Sequence, residues 1–224
     1  MFDEKYFFSK KLAVKASIDN KKAQLRIKRV LDIFLSIILI IILIPVWVVI
    51  PILIMLSSTG PALYSNYRVG HNKKLFRCLK FRSMIAVKHY NKEDEKSFLE
   101  AVQTGVLFKP KNDSRVNWIG KLIRKTSIDE LPQLFNVLMG DMSIVGPRPL
   151  VPHMLHLHAE FNDIRSAIKP GITGKWQTEN RINNTSASDM IEYDIAYIET
   201  FNLVTDLKIL LKTPISVIKA QGAF

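Results

Sequence analysis

The stretch "IFLSIILIIILIPVWVVIPILIML", Ile33 to Leu56, contains no charged side chain. As one straight helix it would be about 36 Å long at ~1.5 Å per residue, enough to cross a hydrocarbon core of ~30 Å. A buried helix of a soluble protein is rarely so uniformly apolar. The run does not read as a cleavable leader either, because it starts late, is long, and no small-residue cleavage site follows it. Pro45 stands almost at its middle and Pro51 follows. An interior proline loses one backbone hydrogen bond and clashes with the preceding turn, so the helix should kink or break there.

The flanks fix the topology. Lys21, Lys22, Arg26, Lys28 and Arg29 precede the run, and Arg68, Lys73, Lys74 and Arg77 follow it. The positive-inside tendency places both flanks on the cytoplasmic face, which a straight span cannot satisfy and a bent helix can. The sequence therefore predicts a re-entrant anchor broken at Pro45. Upstream, residues 1–25 form a basic tail, read either as lying at the headgroup surface or, over residues 1–20, as a solvated and partly disordered segment.

The 224 residues suffice for one domain plus a membrane element. The chain has 32 Lys+Arg against 20 Asp+Glu, a formal charge of +12, which suits an anionic partner: nucleic acid, anionic lipid or a phosphorylated substrate. The single cysteine, Cys78, excludes an intrachain disulfide and a cysteine-based zinc site and reads as a core thiol. His153, His156 and His158 cluster without metal-ligand spacing and read as surface residues.

Downstream of the anchor, Gly60-Pro61 and Gly70 punctuate short strands, with Lys80 and Arg82 on either side of Phe81, positioned to share one strand face, read either as meeting a phosphate or as a solvated face. Residues 88–115 read as a helix within a mobile connection, a lid. "RKTSIDELPQLF", Arg124 to Phe135, then sets Asp129 and Glu130 behind two cations. Ser127 and Glu130 fit a capping box, but Pro132 disturbs it, and a helix start nearer Asp129 suits the proline better. Leu131, Leu134, Phe135 and Leu138 give one helical face, which Gly140 ends. In "GPRP", Gly146 to Pro149, two prolines hold Arg148 on a stiff strip. "KPGITG", Lys169 to Gly174, reads as a type II turn, and Phe201 to Lys219 as a core or interfacial helix broken by Pro214. The cations around Asp129 should keep it ionised, the form that attacks phosphorus or binds a hard metal ion, and Mg²⁺ would relieve the repulsion between two carboxylates and a diphosphate. On spacing alone, the acidic pair fits a helix start and a catalytic site equally well.

The combination "RKTSIDELPQLFNVLMGDMSIVGPRPL", with "KRVLDIFLS" leading into a proline-broken apolar helix, then "LFRCLKFRSM" and "KPGITG", closely resembles the bacterial sugar transferase family, the monotopic polyprenyl-phosphate phosphoglycosyl transferases, over roughly residues 26 to 219. The resemblance implies an enzyme of the cytoplasmic face of the bacterial inner membrane. It would transfer a sugar-1-phosphate from a UDP-sugar to polyprenyl (undecaprenyl) phosphate, release UMP, and so start an exopolysaccharide, capsule, O-antigen or glycoprotein glycan. Asp129 maps onto the nucleophile that carries the phosphosugar covalently. Glu130 maps onto its partner in metal binding or proton handling, with Mg²⁺ as cofactor. Arg124 and Arg148, with Pro147 beside it, map onto phosphate or nucleotide contacts. Gln177 and Arg181 fall in "KWQTENRINN", expected to shape sugar or nucleotide recognition, where the family's usual Gly-Arg-Asn cluster is disturbed. Ile44-Pro45 replaces the family's frequent Ser-Pro at the helix break, and the chain reads as a minimal catalytic form.

The expected fold is α/β and helix-rich: tail 1–25, anchor 26–58, and a cytoplasmic catalytic domain 59–224 with interfacial amphipathic helices. The expected partners are UDP-sugar, polyprenyl phosphate and membrane lipid, with room for a homodimer. Three competitors stand beside this reading. A membrane-anchored basic adaptor leaves Asp129, Glu130 and the Pro-Arg-Pro strip idle. A nucleic-acid binder lacks a binding motif, so no nucleic-acid partner is expected. A transferase of the sugar alone would release UDP.

Overall fold

A computed structural model describes residues 4–85, 115–152, 159–179 and 187–219. Arg181, the three clustered histidines and all but the last residue of the expected lid lie outside them. The chain opens with α1 (Glu4–Asn20) and α2 (Lys22–Ile42), then α3 (Ile44–Ser57). A hairpin follows, β1 (Leu63–Val69) against β2 (Leu75–Phe81), antiparallel with Leu63 opposite Phe81. Next come α4 (Trp118–Lys125), a 3₁₀ turn (Ile128–Glu130), α5 (Gln133–Met139) and β3 (Ser143–Val145). The remainder is α6 (Ala159–Arg165), β4 (Gly171–Thr173), α7 (Lys175–Glu179), α8 (Ala187–Glu199) and α9 (Leu203–Ile218), with β3 and β4 parallel. The helix-rich α/β expectation holds.

The apolar run breaks where proline requires. Leu43 leaves the helical register, Pro45 sits in the first turn of α3, and the two halves meet at a 64° bend. Among the described residues no single helix is long and apolar enough to cross a membrane; this bent pair is, by length and composition. Ile50 and Ile54 of α3 are buried against Phe81, Ile119 and Ile123, with Ile128 and Leu131 packed on the same cluster. Trp47 stands between Phe81 and Phe135, ring centroids 5.4 and 5.3 Å away. The second arm of the anchor thus packs directly on the turn that carries Asp129 and Glu130.

The first arm is also tied in. Lys28, expected at the lipid surface, is buried and bonds Asp206 at 2.6 Å. Asp32 accepts from the Ser143 hydroxyl at 2.7 Å and the Ile144 N–H at 3.1 Å. Tyr197 closes the group by donating to Asp206 at 2.7 Å. Burial raises Asp206 and Tyr197 above their usual ranges, with Lys28 opposing the shift at Asp206 and Asp206 adding to it at Tyr197. Arg29 donates to the Val137 and Leu138 carbonyls, which end α5. Lys28 and Arg29 therefore bind protein, because each meets a buried carboxylate or free carbonyls that lipid would not match, and Lys21 also donates to the Glu199 carbonyl at 3.3 Å.

Three other expectations change. The segment expected as a tail is the helix α1, with Val14 in the main core and Lys10 paired with Glu199 at 2.7 Å. Gly171 to Thr173 is a strand rather than a turn; a Cβ on Gly171 would collide with the backbone of Gly146, so glycine serves close approach. α9 runs unbroken through Pro214. Its exposed Val204, Leu207, Leu211, Ile215 and Ile218 recur at helical spacing along one side, while Asp206 and Ile209 are buried on the other.

Candidate active site

Strand alternation starts the site. Phe76 and Cys78 face the core from β2, and Lys80 continues that face. Its ammonium reaches Glu130 at 2.7 Å and Asp129 at 3.8 Å. The acidic pair stands on the 3₁₀ turn, which Ser127 enters in the left-handed region at φ 56° without capping it. α5 begins only after Pro132. The capping box is absent: Glu130 bonds Lys80 instead of the backbone.

Asn136 holds this arrangement together. Fully buried, it donates to the Arg77 carbonyl at 2.8 Å and accepts from the Leu79 N–H at 2.9 Å. It thereby stands in for a third strand along β2 and locks α5 beside Lys80. At the other end of α5, Gly140 adopts φ 93° and closes the helix, as expected.

The Pro-Arg-Pro strip forms the facing wall. Arg148 Nη2 lies 3.8 Å from Glu130 Oε1. The strip is held by backbone bonds, Gly171 N–H to Pro147 O at 2.8 Å and Val69 N–H to Leu150 O at 2.9 Å. The Arg148 carbonyl accepts from Arg165, whose guanidinium pairs with Asp194 at 2.7 Å. Arg165 and Asp194 are buried; burial raises Asp194 to about 6 against the pull of Arg165. Arg68 joins the cleft from β1, and burial together with Arg148 presses its guanidinium below the usual range. Gln177 lines the same cleft.

Asp129 itself is buried. Burial, the largest influence, and Glu130 lift its carboxyl to about 6, against Lys80, Arg124 and Arg148. The sequence anticipated the cations but not this burial, so the shift runs opposite to the expected one. The carboxylate still predominates at neutral pH. The anionic pair therefore faces Lys80, Arg148, Arg68 and, from the last turn of α4, Arg124, an excess of positive charge that suits a phosphorylated ligand.

These distances bring together Asp129, Glu130, Lys80, Arg148, Arg124 and Gln177. Arg82 is not among them: it donates to the Ser58 and Thr59 carbonyls and ties off the end of α3. The two-residue spacing fails for it because β2 ends at Phe81. Pro147 contributes its carbonyl to β4. Sequence reasoning missed Arg68, Asn136, Arg165 and Asp194, which lie far from the signature in sequence or look like ordinary helix polar residues.

The family model for bacterial sugar transferases matches residues 23–220. The chain belongs to the bacterial sugar transferase family. It is 40% identical over 209 residues to the undecaprenyl-phosphate galactose phosphotransferase of Salmonella typhimurium, covering 91% of this chain and 43% of that protein. It is 35% identical over 202 residues to the exopolysaccharide production protein ExoY of Sinorhizobium fredii, covering 88% of each. With the UDP-glucose:undecaprenyl-phosphate glucose-1-phosphate transferase of Klebsiella pneumoniae it shares 36% over 196 residues, 83% of this chain and 39% of that one. The chain thus spans less than half the length of the Salmonella and Klebsiella relatives. α1 lies outside the family match.

Proposed function

We propose that this sugar transferase moves a sugar-1-phosphate from a UDP-sugar to polyprenyl phosphate, releasing UMP, at the cytoplasmic face of a bacterial membrane. The observation that carries this reading is the buried Asp129 carboxylate, ionised at neutral pH, 3.8 Å from Lys80, which lines one cleft with Glu130 and Arg148, while Arg124 also acts on its charge.

Asp129 Oδ attacks the phosphorus that bears the sugar. The bond from that phosphorus to the bridging oxygen breaks, and UMP departs with the electron pair. Lys80 and Arg148 neutralise the diphosphate as charge shifts to the leaving oxygen. A phosphate oxygen of the polyprenyl phosphate then attacks the same phosphorus. The Asp129–phosphorus bond breaks, returning the carboxylate and leaving a polyprenyl-diphosphate sugar.

The donor set fits Mg²⁺: Asp129 and Glu130 supply two hard oxygens, and such an ion usually takes its other ligands from substrate phosphate and water. Bound there, it would screen the carboxylates from the diphosphate. Among the described residues no third acid or histidine joins them.

The bent α2–α3 pair supports a re-entrant anchor. Since α3 packs on the Asp129 turn, the site lies at the depth where a lipid phosphate resides. The exposed stripe of α9, with Lys208, Lys212 and Lys219, suits the membrane interface.

The test is nucleotide release. Protein in detergent with Mg²⁺, undecaprenyl phosphate and a panel of UDP-sugars should yield UMP, and Asp129→Asn should yield none. UDP as product would assign a transferase of the sugar alone. An adaptor would be unaffected by Asp129→Asn in its binding role and would release neither nucleotide.

A further inference from the structure

One wall of the cleft carries an unmet hydrogen-bonding demand. Gln177 is 6% exposed, and neither its amide Nε2 nor its Oε1 has a partner among the described residues. A primary amide buried without partners is unfavourable and is found where something absent completes it. The backbone packs closely here: a Cβ on Gly174 would stand 2.2 Å from the Gly146 carbonyl oxygen and 2.5 Å from Gln177 Oε1, so glycine lets the β3 end and the amide approach together. The amide lines the cleft that Lys80, Arg148 and Arg68 charge positively, with Pro149 and Ile172 as its apolar walls.

The chemistry selects the ligand. A neutral amide adds nothing to phosphate binding, which the cations already serve. It offers one donor and one acceptor side by side in a plane. A single sugar hydroxyl meets only one amide atom at a time, and two hydroxyls on neighbouring carbons must rotate into opposite roles to meet both. The imide edge of uracil meets both at once, with N3–H beside a carbonyl oxygen; an amide reads adenine by the same two-point logic. Flat apolar walls also suit a ring face better than a hydroxylated sugar. We infer that Gln177 reads the uracil imide edge of the donor and of the departing UMP, with Oε1 accepting from N3–H and Nε2 donating to the adjacent carbonyl. This rests on the UDP-sugar reading above, and makes the base, common to every UDP-sugar, the part that the buried amide recognises.

The test is equilibrium binding of UMP and of N3-methyl-UMP to the full chain in detergent, for the parent and Gln177→Met. The methyl group removes the N3–H and leaves charge and ribose intact. The parent should bind UMP about ten- to a hundredfold more tightly than the methylated analogue. Gln177→Met, similar in volume, should erase that preference and raise the melting temperature of the nucleotide-free protein by a few degrees, because an unpartnered amide is gone. Equal binding of the two nucleotides by the parent would overturn the assignment without any variant. So would a preference that survives in Gln177→Met, or a variant that binds UMP normally but no longer separates UDP-galactose from UDP-glucose, which would make Gln177 a sugar reader. Failure of the parent to bind UMP at all, with and without Mg²⁺, would remove the donor reading together with this one.

Discussion

Replacing Asp194 by Ala removes the carboxylate that pairs with the buried Arg165 guanidinium. The Arg165–Asp194 pair is 2.7 Å long with side chains 5% and 2% exposed. The Lys212–Glu179 pair has similar length, 2.9 Å, but side chains 55% and 32% exposed. Solvent screening leaves the exposed pair worth at most about 1 kcal/mol. Leaving Arg165 charged and buried costs about 3–5 kcal/mol instead. For a chain of this size that is a fall of roughly 6–20 °C in melting temperature, read by thermal unfolding in detergent. The double change Arg165→Met with Asp194→Leu replaces the pair by apolar bulk and should recover most of that stability. It cannot recover the bond from Arg165 to the Arg148 carbonyl. UMP release should therefore stay about ten- to a hundredfold below the parent while the fold is sound. A double variant with both stability and full activity would show that Arg165 does not position Arg148, and the reasoning would fail.

Other outcomes follow from the same geometry. Asp194, raised from 3.8 to about 6 by burial, binds its proton more tightly folded than unfolded. Its contribution is full below about pH 4 and is lost as pH rises through about 6, so urea midpoints of the parent should drop relative to Asp194→Asn across that window, by about 2–3 kcal/mol. Asn136→Leu orphans the Arg77 carbonyl and the Leu79 N–H and should cost about 2–4 kcal/mol in chemical unfolding, with slower UMP release as β2 and α5 separate. Leu211→Glu and Ile215→Glu on the exposed side of α9 should leave the melting temperature within a few degrees but weaken recovery with liposomes in flotation. Lys212→Glu, by contrast, should matter mainly at low salt.

Much of this architecture was legible because it depends on local chemistry. The Pro45 break follows from a missing N–H, the Gly140 helix end from a left-handed residue, and the hairpin from glycine punctuation around short apolar runs. The strand position of Lys80 was legible from alternation, whereas Arg82, two residues on, turned to the end of α3 because the strand had ended. Burial was the main thing hidden. The sequence shows cations near Asp129 but not the packing of Ile128 and Leu131 on α3, which desolvates the carboxyl and reverses its shift. Pairings across long separations, Arg165 with Asp194 or Lys28 with Asp206, leave no spacing signal. The helix α1 was hidden for a related reason: its polar composition conceals the buried Val14 and the ion pairs that dock it.

The most direct measurement is the mass of the protein after incubation with a UDP-sugar and Mg²⁺ without lipid acceptor, followed by peptide mapping. The account predicts a gain of one sugar phosphate on the peptide holding Asp129, absent in Asp129→Asn, and discharged when polyprenyl phosphate is added. UMP release with no adduct, or an adduct on another residue, would contradict it.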